Sequence, residues 1–333
     1  GNYISRHICF SVILIFACLI SPVASSQSSI NQRVVDSLEQ RANNHSFDEI
    51  TRLRAFQKVV LRTVYSDVEI GRGKVQNYLN YAKSINSYNH TVIALQLEGY
   101  ALKKMAKYDS SLIVFNQSLD LAKIHNFTTL KGRAYLDIGT VYESKNDLET
   151  ALYYYKLVED YPQENRPKSL TSRCLLNLGG IYEKQGKYKL SLAHFDEVLK
   201  LCEQYKFTGY LASIYINLGN VNLNIREYAS AEEYYLKSIE QSDIQSNNNT
   251  KYQGLERLAN LNHKTKNYTE SINYYNRAIS LSEKSNAPMD LAVAKCGLAN
   301  TLSQLGRHAE AKKTIDESLK LIENNGDKVY VIF

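Results

Sequence analysis

At 333 residues, with 15 glycines and 4 prolines, the chain is poor in the residues that punctuate turns, which argues against an all-β protein and for a mostly helical one. The net charge of +6 is local: residues 26–107 hold 12 Lys/Arg against 7 Asp/Glu, Arg6 adds one, and residues 108–333 balance at 27 and 27. So mild a bias, without a basic run or a stacking platform, reads as solvated surface and argues against a nucleic-acid groove.

The amino terminus places Arg6 and His7 ahead of 13 apolar or small residues, Ile8 to Ile20, followed by Pro22 and the small Ala24 and Ser25. This run is short of the roughly 20 residues that cross a bilayer. Residues 1–25 therefore read as a signal peptide cleaved around Val23-Ala24-Ser25, with an uncleaved anchor or a lipoprotein at Cys18 as the competing readings. The expected location is secreted or periplasmic, with membrane attachment only through segments outside this chain. Beyond the signal lie Cys174, Cys202 and Cys296, an odd number with neither disulfide-framework nor metal-ligand spacing. Cys174 and Cys202 would face each other across an antiparallel helix pair, so one bridge stays open beside the alternative of buried free thiols.

In "INQRVVDSLEQR" the residues Ile30, Val34 and Leu38 share one helical face, and residues 26–45 read as a capping helix. Residues 46–88 read as a degenerate helix pair, because "NYLNYAKSIN" at Asn77 lines up 40 residues before "QSLDLAKIHN" at Gln117. From 89 to 327 the chain repeats six times at a 40-residue period: "LDIGTVYESKNDLETALYYYKLV" from Leu136, "LNLGGIYEKQGKYKLSLAHFDEV" from Leu176 and "INLGNVNLNIREYASAEEYYLKS" from Ile216 are three of the copies. A small residue recurs at Gly99, Gly139, Gly179, Gly219, Ala259 and Ala299. After a polar turn come an aromatic residue, a small one (Ser111, Ala151, Ser191, Ala231, Ser271, Ala311) and, four on, Phe115, Tyr155, Phe195, Tyr235 or Tyr275. Offsets of three and four place these on one helical stripe, small residues for close approach and aromatics for filling. Where Ala106, Arg226 and Lys266 stand at the turn position that Gly186 fills, a looser cap is expected. Residues 328–333 begin a further helix, and a chain that starts without Met and stops in mid-pattern reads as part of something longer.

The order L-G-x-x-Y, turn, then aromatic, small, aromatic resembles the tetratricopeptide repeat family. The resemblance covers about 240 residues clearly, and the 40-residue unit is similar to the longer-helix arrays of bacterial signalling proteins. It implies an all-α fold, an α-solenoid of antiparallel helix pairs winding into a right-handed superhelix. It implies a non-catalytic module that binds a protein or peptide on the wall formed by the first helices, with no cofactor and no metal.

The chain itself offers little competing chemistry. Its seven histidines show no ligand spacing, and "IGRGKV" at Ile70 lacks the flanking residues of a phosphate loop. One residue after the small position stand Tyr100, Thr140, Gly180, Asn220, Asn260 and Asn300, and two before it Asn177 and Asn217. An Asn amide both donates and accepts, so Asn177, Asn217, Asn220, Asn260 and Asn300 form a candidate ladder for an extended backbone. This resembles the ladders of signalling tetratricopeptide proteins, including peptide-pheromone receptors. Arg133 and Arg173, six before their glycines, are candidates for a ligand carboxylate. The expected function is the sensory or scaffolding part of a membrane-anchored bacterial regulator; the alternative is a free-standing secreted or periplasmic assembly scaffold.

Overall fold

A 20-residue step, helix and turn together, builds the molecule. The computed structural model describes residues 25–64, 67–161, 166–206 and 208–325; the expected signal peptide and the expected further helix at 328–333 fall outside them, apart from Ser25. The described residues form fifteen α-helices: α1 (Ser25–Asn43), α2 (Glu49–Val64), α3 (Val68–Ser84), α4 (Tyr88–Lys104), α5 (Tyr108–Ile124), α6 (Thr128–Ser144), α7 (Leu148–Glu159), α8 (Lys168–Lys184), α9 (Tyr188–Tyr205), α10 (Leu211–Asn224), α11 (Tyr228–Ile244), α12 (Asn248–Lys264), α13 (Tyr268–Lys284), α14 (Pro288–Gln304) and α15 (His308–Asn325). A single 3-10 turn, Thr208–Tyr210, precedes α10, and there is no strand among the described residues. They divide into two compact units, Ala24–Gln204 and Tyr205–Phe333, and in each the successive helices pack as antiparallel neighbours.

The turns owe their regularity to one cap. At the end of α3, Asn86 takes a left-handed φ of 55°. Its N–H donates to Lys83 O and the next N–H, of Ser87, donates to Ala82 O, which is the Schellman pairing that satisfies the orphan carbonyls of a helix end. The same left-handed residue and the same two bonds recur at 106, 126, 146, 186, 226, 246, 266, 286 and 306. The caps at Ala106, Arg226 and Lys266 are not looser as expected: their bonds, 2.8–3.2 Å, match the 2.8–2.9 Å at Gly186. The cost falls on the backbone instead, since a non-glycine residue in the left-handed region loses about 1–2 kcal/mol. At Asp147 and Asn247 the residue after the left-handed one caps the next helix, its side-chain oxygen accepting from an N–H three residues on, and Asp67 caps α3 by the same bond.

Several steps depart from the pattern, among them the end of α7 and the 3-10 turn ahead of α10. Helix α7 stops after 12 residues at Glu159. There the guanidinium of Arg166 replaces the usual cap, donating from Nη1 to Val158 O at 3.1 Å and Glu159 O at 2.8 Å.

Within each pair the first helix carries a notch that receives a ring from the second. A Cβ on Gly99 would lie 2.6 Å from the Phe115 ring, and one on Gly179 2.6 Å from Phe195; Gly139 and Gly219 stand in the same relation to Tyr155 and Tyr235. These four rings are at most 1% exposed, each contributing about 1.5–3 kcal/mol by burial. Beside the notch, the hydroxyls of Ser111, Ser191 and Ser271 donate to the carbonyls of Gly99, Gly179 and Ala259, satisfying buried oxygens across the interface. In the leading pair the close approach lies elsewhere: Gly71, inside α3, faces the Val64 backbone. Gly71 and Gly73 are thus helical residues of α3. Cys174 and Cys202 are buried free thiols; Cys174 donates to Tyr155 O, and burial pushes its pKa up to about 12.

Three variants separate these roles in urea denaturation. Gly219→Ala should lose about 1–3 kcal/mol by overpacking against Tyr235. Gly180→Ala, in a helix with nothing within 4 Å of the new methyl, should gain up to about 1 kcal/mol. Lys266→Gly should gain about 1 kcal/mol by relieving the left-handed backbone. Acid acts through His90, whose Nδ1 is hydrogen-bonded to the Tyr78 hydroxyl at 2.6 Å. Burial, and then the nearby Arg54, holds its pKa below the ordinary 6.5, and burial does the same for His263. Below 6.5 the unfolded chain takes up protons that these rings resist, so stability is fully present above that pH and falls as pH drops toward the folded values. The urea midpoint measured from pH 7.5 to 5.5 should decline, and less steeply in His90→Gln.

Candidate ligand wall on the first helices

In the Ala24–Gln204 unit α4 touches α6 and α6 touches α8, and in the Tyr205–Phe333 unit α10 touches α12 and α12 touches α14. First helices of consecutive pairs therefore form a continuous wall within each unit. The residue after each notch, Tyr100, Thr140, Gly180, Asn220, Asn260 or Asn300, is half-buried on that wall. Asn177 and Asn217, one helical turn earlier, are half-buried as well, and Arg133 is exposed. Arg133, Arg173 and Asn177 belong to the first unit and Asn217, Asn220, Asn260 and Asn300 to the second.

The wall of the first unit is charged and cross-braced. Arg173 Nη2 lies 3.0 Å from Asp137 Oδ1, which joins α8 to α6. Lys184 pairs with Glu143 across the same two helices, and the other oxygen of Glu143 accepts from the Tyr155 hydroxyl at 2.9 Å. Lys103 on α4 donates to Thr140 Oγ1 on α6 at 2.9 Å. Burial is the main cause that lowers the pKa of Lys103, opposed by Asp137 and Glu143. Arg173 thus braces neighbouring repeats, and ion pairs this exposed add no more than about 1 kcal/mol each. Asp137 was missed in the sequence, although it occupies the register position of Asn177 and Asn217.

The wall of the second unit is built of amides. The Tyr235 hydroxyl donates to Asn220 Oδ1 at 2.9 Å, and the Tyr275 hydroxyl to Asn260 Oδ1 at 2.6 Å. Asn260 Nδ2 donates in turn to Glu256 Oε1. Glu256 and burial together raise the pKa of Asp290, burial being the larger cause. The asparagines at 222 and 262, which replace the first-helix tyrosine, are buried and donate to Leu218 O and Leu258 O. Among the described residues no three His, Cys, Asp or Glu side chains are grouped to hold a metal ion, and no helix is long and apolar enough to cross a membrane.

Residues 171–243 and 252–328 match the family model described as tetratricopeptide repeat. No curated protein sequence matches the chain. Among solved structures, the chain is similar to a signal transduction ATPase with numerous domains and a tetratricopeptide repeat sensor from Pyrococcus horikoshii, at 14% identity and a TM-score of 0.63, covering 89% of this chain and 48% of that one. It is similar to the Cut9–Hcn1 hetero-tetramer of the APC/C at 17% identity and 0.60, covering 89% of this chain and 54% of that one. The apo form of the quorum sensor NprR from B. thuringiensis aligns at 14% identity and 0.53, covering 89% and 94%. The chain spans about half the length of the first two, and at these identities the likeness is one of fold. The repeating helix pairs, their glycine notches and the two matched segments agree: residues 171–243 and 252–328 are tetratricopeptide repeats, a protein-interaction module, and the helix pairs before them follow the same rule.

Proposed function

We propose that the first-helix wall of the Tyr205–Phe333 unit binds an extended peptide or protein segment, without catalysing a reaction on it. The observation that carries this reading is the in-register row of half-buried carboxamides, Asn220, Asn260 and Asn300, with Asn217 beside them, on helices that touch one another. Packed helices sit about 8–10 Å apart, close to the rise of three extended residues at about 3.3 Å each. Successive rungs thus fit every third residue of a strand and meet its backbone rather than its side chains. The first-helix wall of the other unit carries braced charges instead, with Arg133 exposed.

We place this module outside the cytoplasm, as the sensory or scaffolding part of a membrane-anchored bacterial regulator. The apolar run Ile8 to Ile20 followed by small residues supports the address. A sensor array in the archaeal ATPase and a quorum sensor among proteins of similar fold support the role.

A random-sequence peptide array probed with the whole protein tests the wall: Asn220→Ala, Asn260→Ala and Asn300→Ala should each weaken retained peptides by about two- to tenfold, the value of one hydrogen bond. Binding unchanged in all three would sink the reading. Amino-terminal sequencing of protein exported from a bacterial host should find a new terminus within 23–26, and an intact Gly1 would contradict the address.

A further inference from the structure

We infer that Tyr235 and Tyr275 are positioning residues that lock the carboxamides of Asn220 and Asn260 as hydrogen-bond donors, so that this wall selects carbonyl oxygens of an extended segment. The inference rests on the ligand-wall reading proposed above. Tyr235 fills the notch at Gly219 of its own first helix, and Tyr275 shares a core cluster with Ala259 of its own: Tyr235 is 0% and Tyr275 3% exposed, yet both hydroxyls reach an asparagine of the wall. The rings have no room to swing. Gly219 holds Tyr235, and the outer end of Tyr275 abuts Gly297 on the next first helix, where a Cβ would overlap its hydroxyl.

The internal copies show that the hydroxyl and its acceptor go together. Phe115 stands behind Tyr100 and Phe195 behind Gly180, two wall positions without a carboxamide. Tyr155 stands behind Thr140, whose own hydroxyl donates to Asp137 O, and it uses Glu143 instead. Among the described residues, it is behind Asn220 and Asn260 that a tyrosine meets an asparagine of its own pair, fifteen residues apart in both cases. Burial raises the Tyr275 phenol well above its ordinary range, so it remains a protonated donor at neutral pH.

A carboxamide whose oxygen is turned toward a fixed hydroxyl points its N–H groups the other way, and these are what it presents away from the ring. At Asn260 the Glu256 carboxylate takes one of them and fixes the amide further. Locked donors match the backbone carbonyls of a strand and disfavour cationic side chains. Asn300 differs, since Ile315 occupies the aromatic position of its pair. With no hydroxyl behind it, its amide is free to turn and to serve either as donor or as acceptor.

The test combines two readouts on the full chain. Side-chain amide NMR of Asn220, Asn260 and Asn300 reports the lock without any ligand, and the random-sequence peptide array reports recognition. In Tyr235→Phe the Asn220 amide should lose its restraint while Asn300 stays unchanged, and array binding should fall about two- to tenfold, as for one lost hydrogen bond. Asn220→Asp keeps an acceptor for Tyr235 but removes the donors, so it should fold with an unchanged Tm and bind as poorly as Asn220→Ala. An Asn220 amide equally restrained in Tyr235→Phe overturns the positioning role. Full array binding by Asn220→Asp alongside weakened binding by Asn220→Ala overturns the donor assignment. Full binding by both, with the amide released in Tyr235→Phe, leaves the lock intact and removes the ligand wall instead.

Discussion

Close approach of two helices over a residue with little or no side chain is the contact on which the rest of this protein depends. A glycine or alanine in the first helix opens a notch, and an aromatic ring sixteen residues later fills it. The ring cannot be served by a larger residue opposite, because interiors are packed to crystal density and tolerate no added methylene without displacement. Once the notch sets the distance between the two helices, a Ser beside it can donate to the carbonyl across the gap, as Ser111, Ser191 and Ser271 do. The recurring cap between helices then turns the chain back in the same way at ten of the connections. Repetition of one local solution produces an array, each pair burying its face against the next.

The same notch links packing to function. Because the ring packs into the notch of the first helix, a hydroxyl at its para position can reach a side chain of that helix, as Tyr235 reaches Asn220 and Tyr275 reaches Asn260. A phenylalanine ends within the core, whereas a tyrosine adds a polar atom to the wall and demands an acceptor there. Core composition in the second helices therefore decides which way the amides of the first helices face.

The two walls differ in how they treat charge. Around α6 the charges are spent between neighbouring repeats, Asp137 on Arg173 and Glu143 on Lys184. Around α12 the amides are aligned by neutral hydroxyls. The wall around α6 is thus a set of paired charges, and that around α12 a row of amides with the Glu256 carboxylate among them.

Much of this was legible before any coordinate. The period, the helix pairs, the notch residues and their aromatic partners follow from small and apolar residues recurring at fixed offsets, since helical geometry turns spacing into a shared face. The address of the asparagines on the wall followed from the same register. What the sequence could not carry were contacts between groups far apart in the chain whose meeting depends on the path of a ring or the lean of a helix. Arg173 looked available for a ligand and is held by Asp137, 36 residues away. Ala106, Arg226 and Lys266 looked like poor turn residues, yet adopt the glycine conformation because packing on both sides dictates the turn. Asn220 and Asn260 read as symmetric donors and acceptors, and only the emergence of Tyr235 and Tyr275 beside them decided which half of each amide faces outward. Local spacing determined the repeat and its faces; tertiary packing determined which polar groups on those faces are already engaged, because a hydrogen bond depends on ångström-scale geometry that periodicity does not encode.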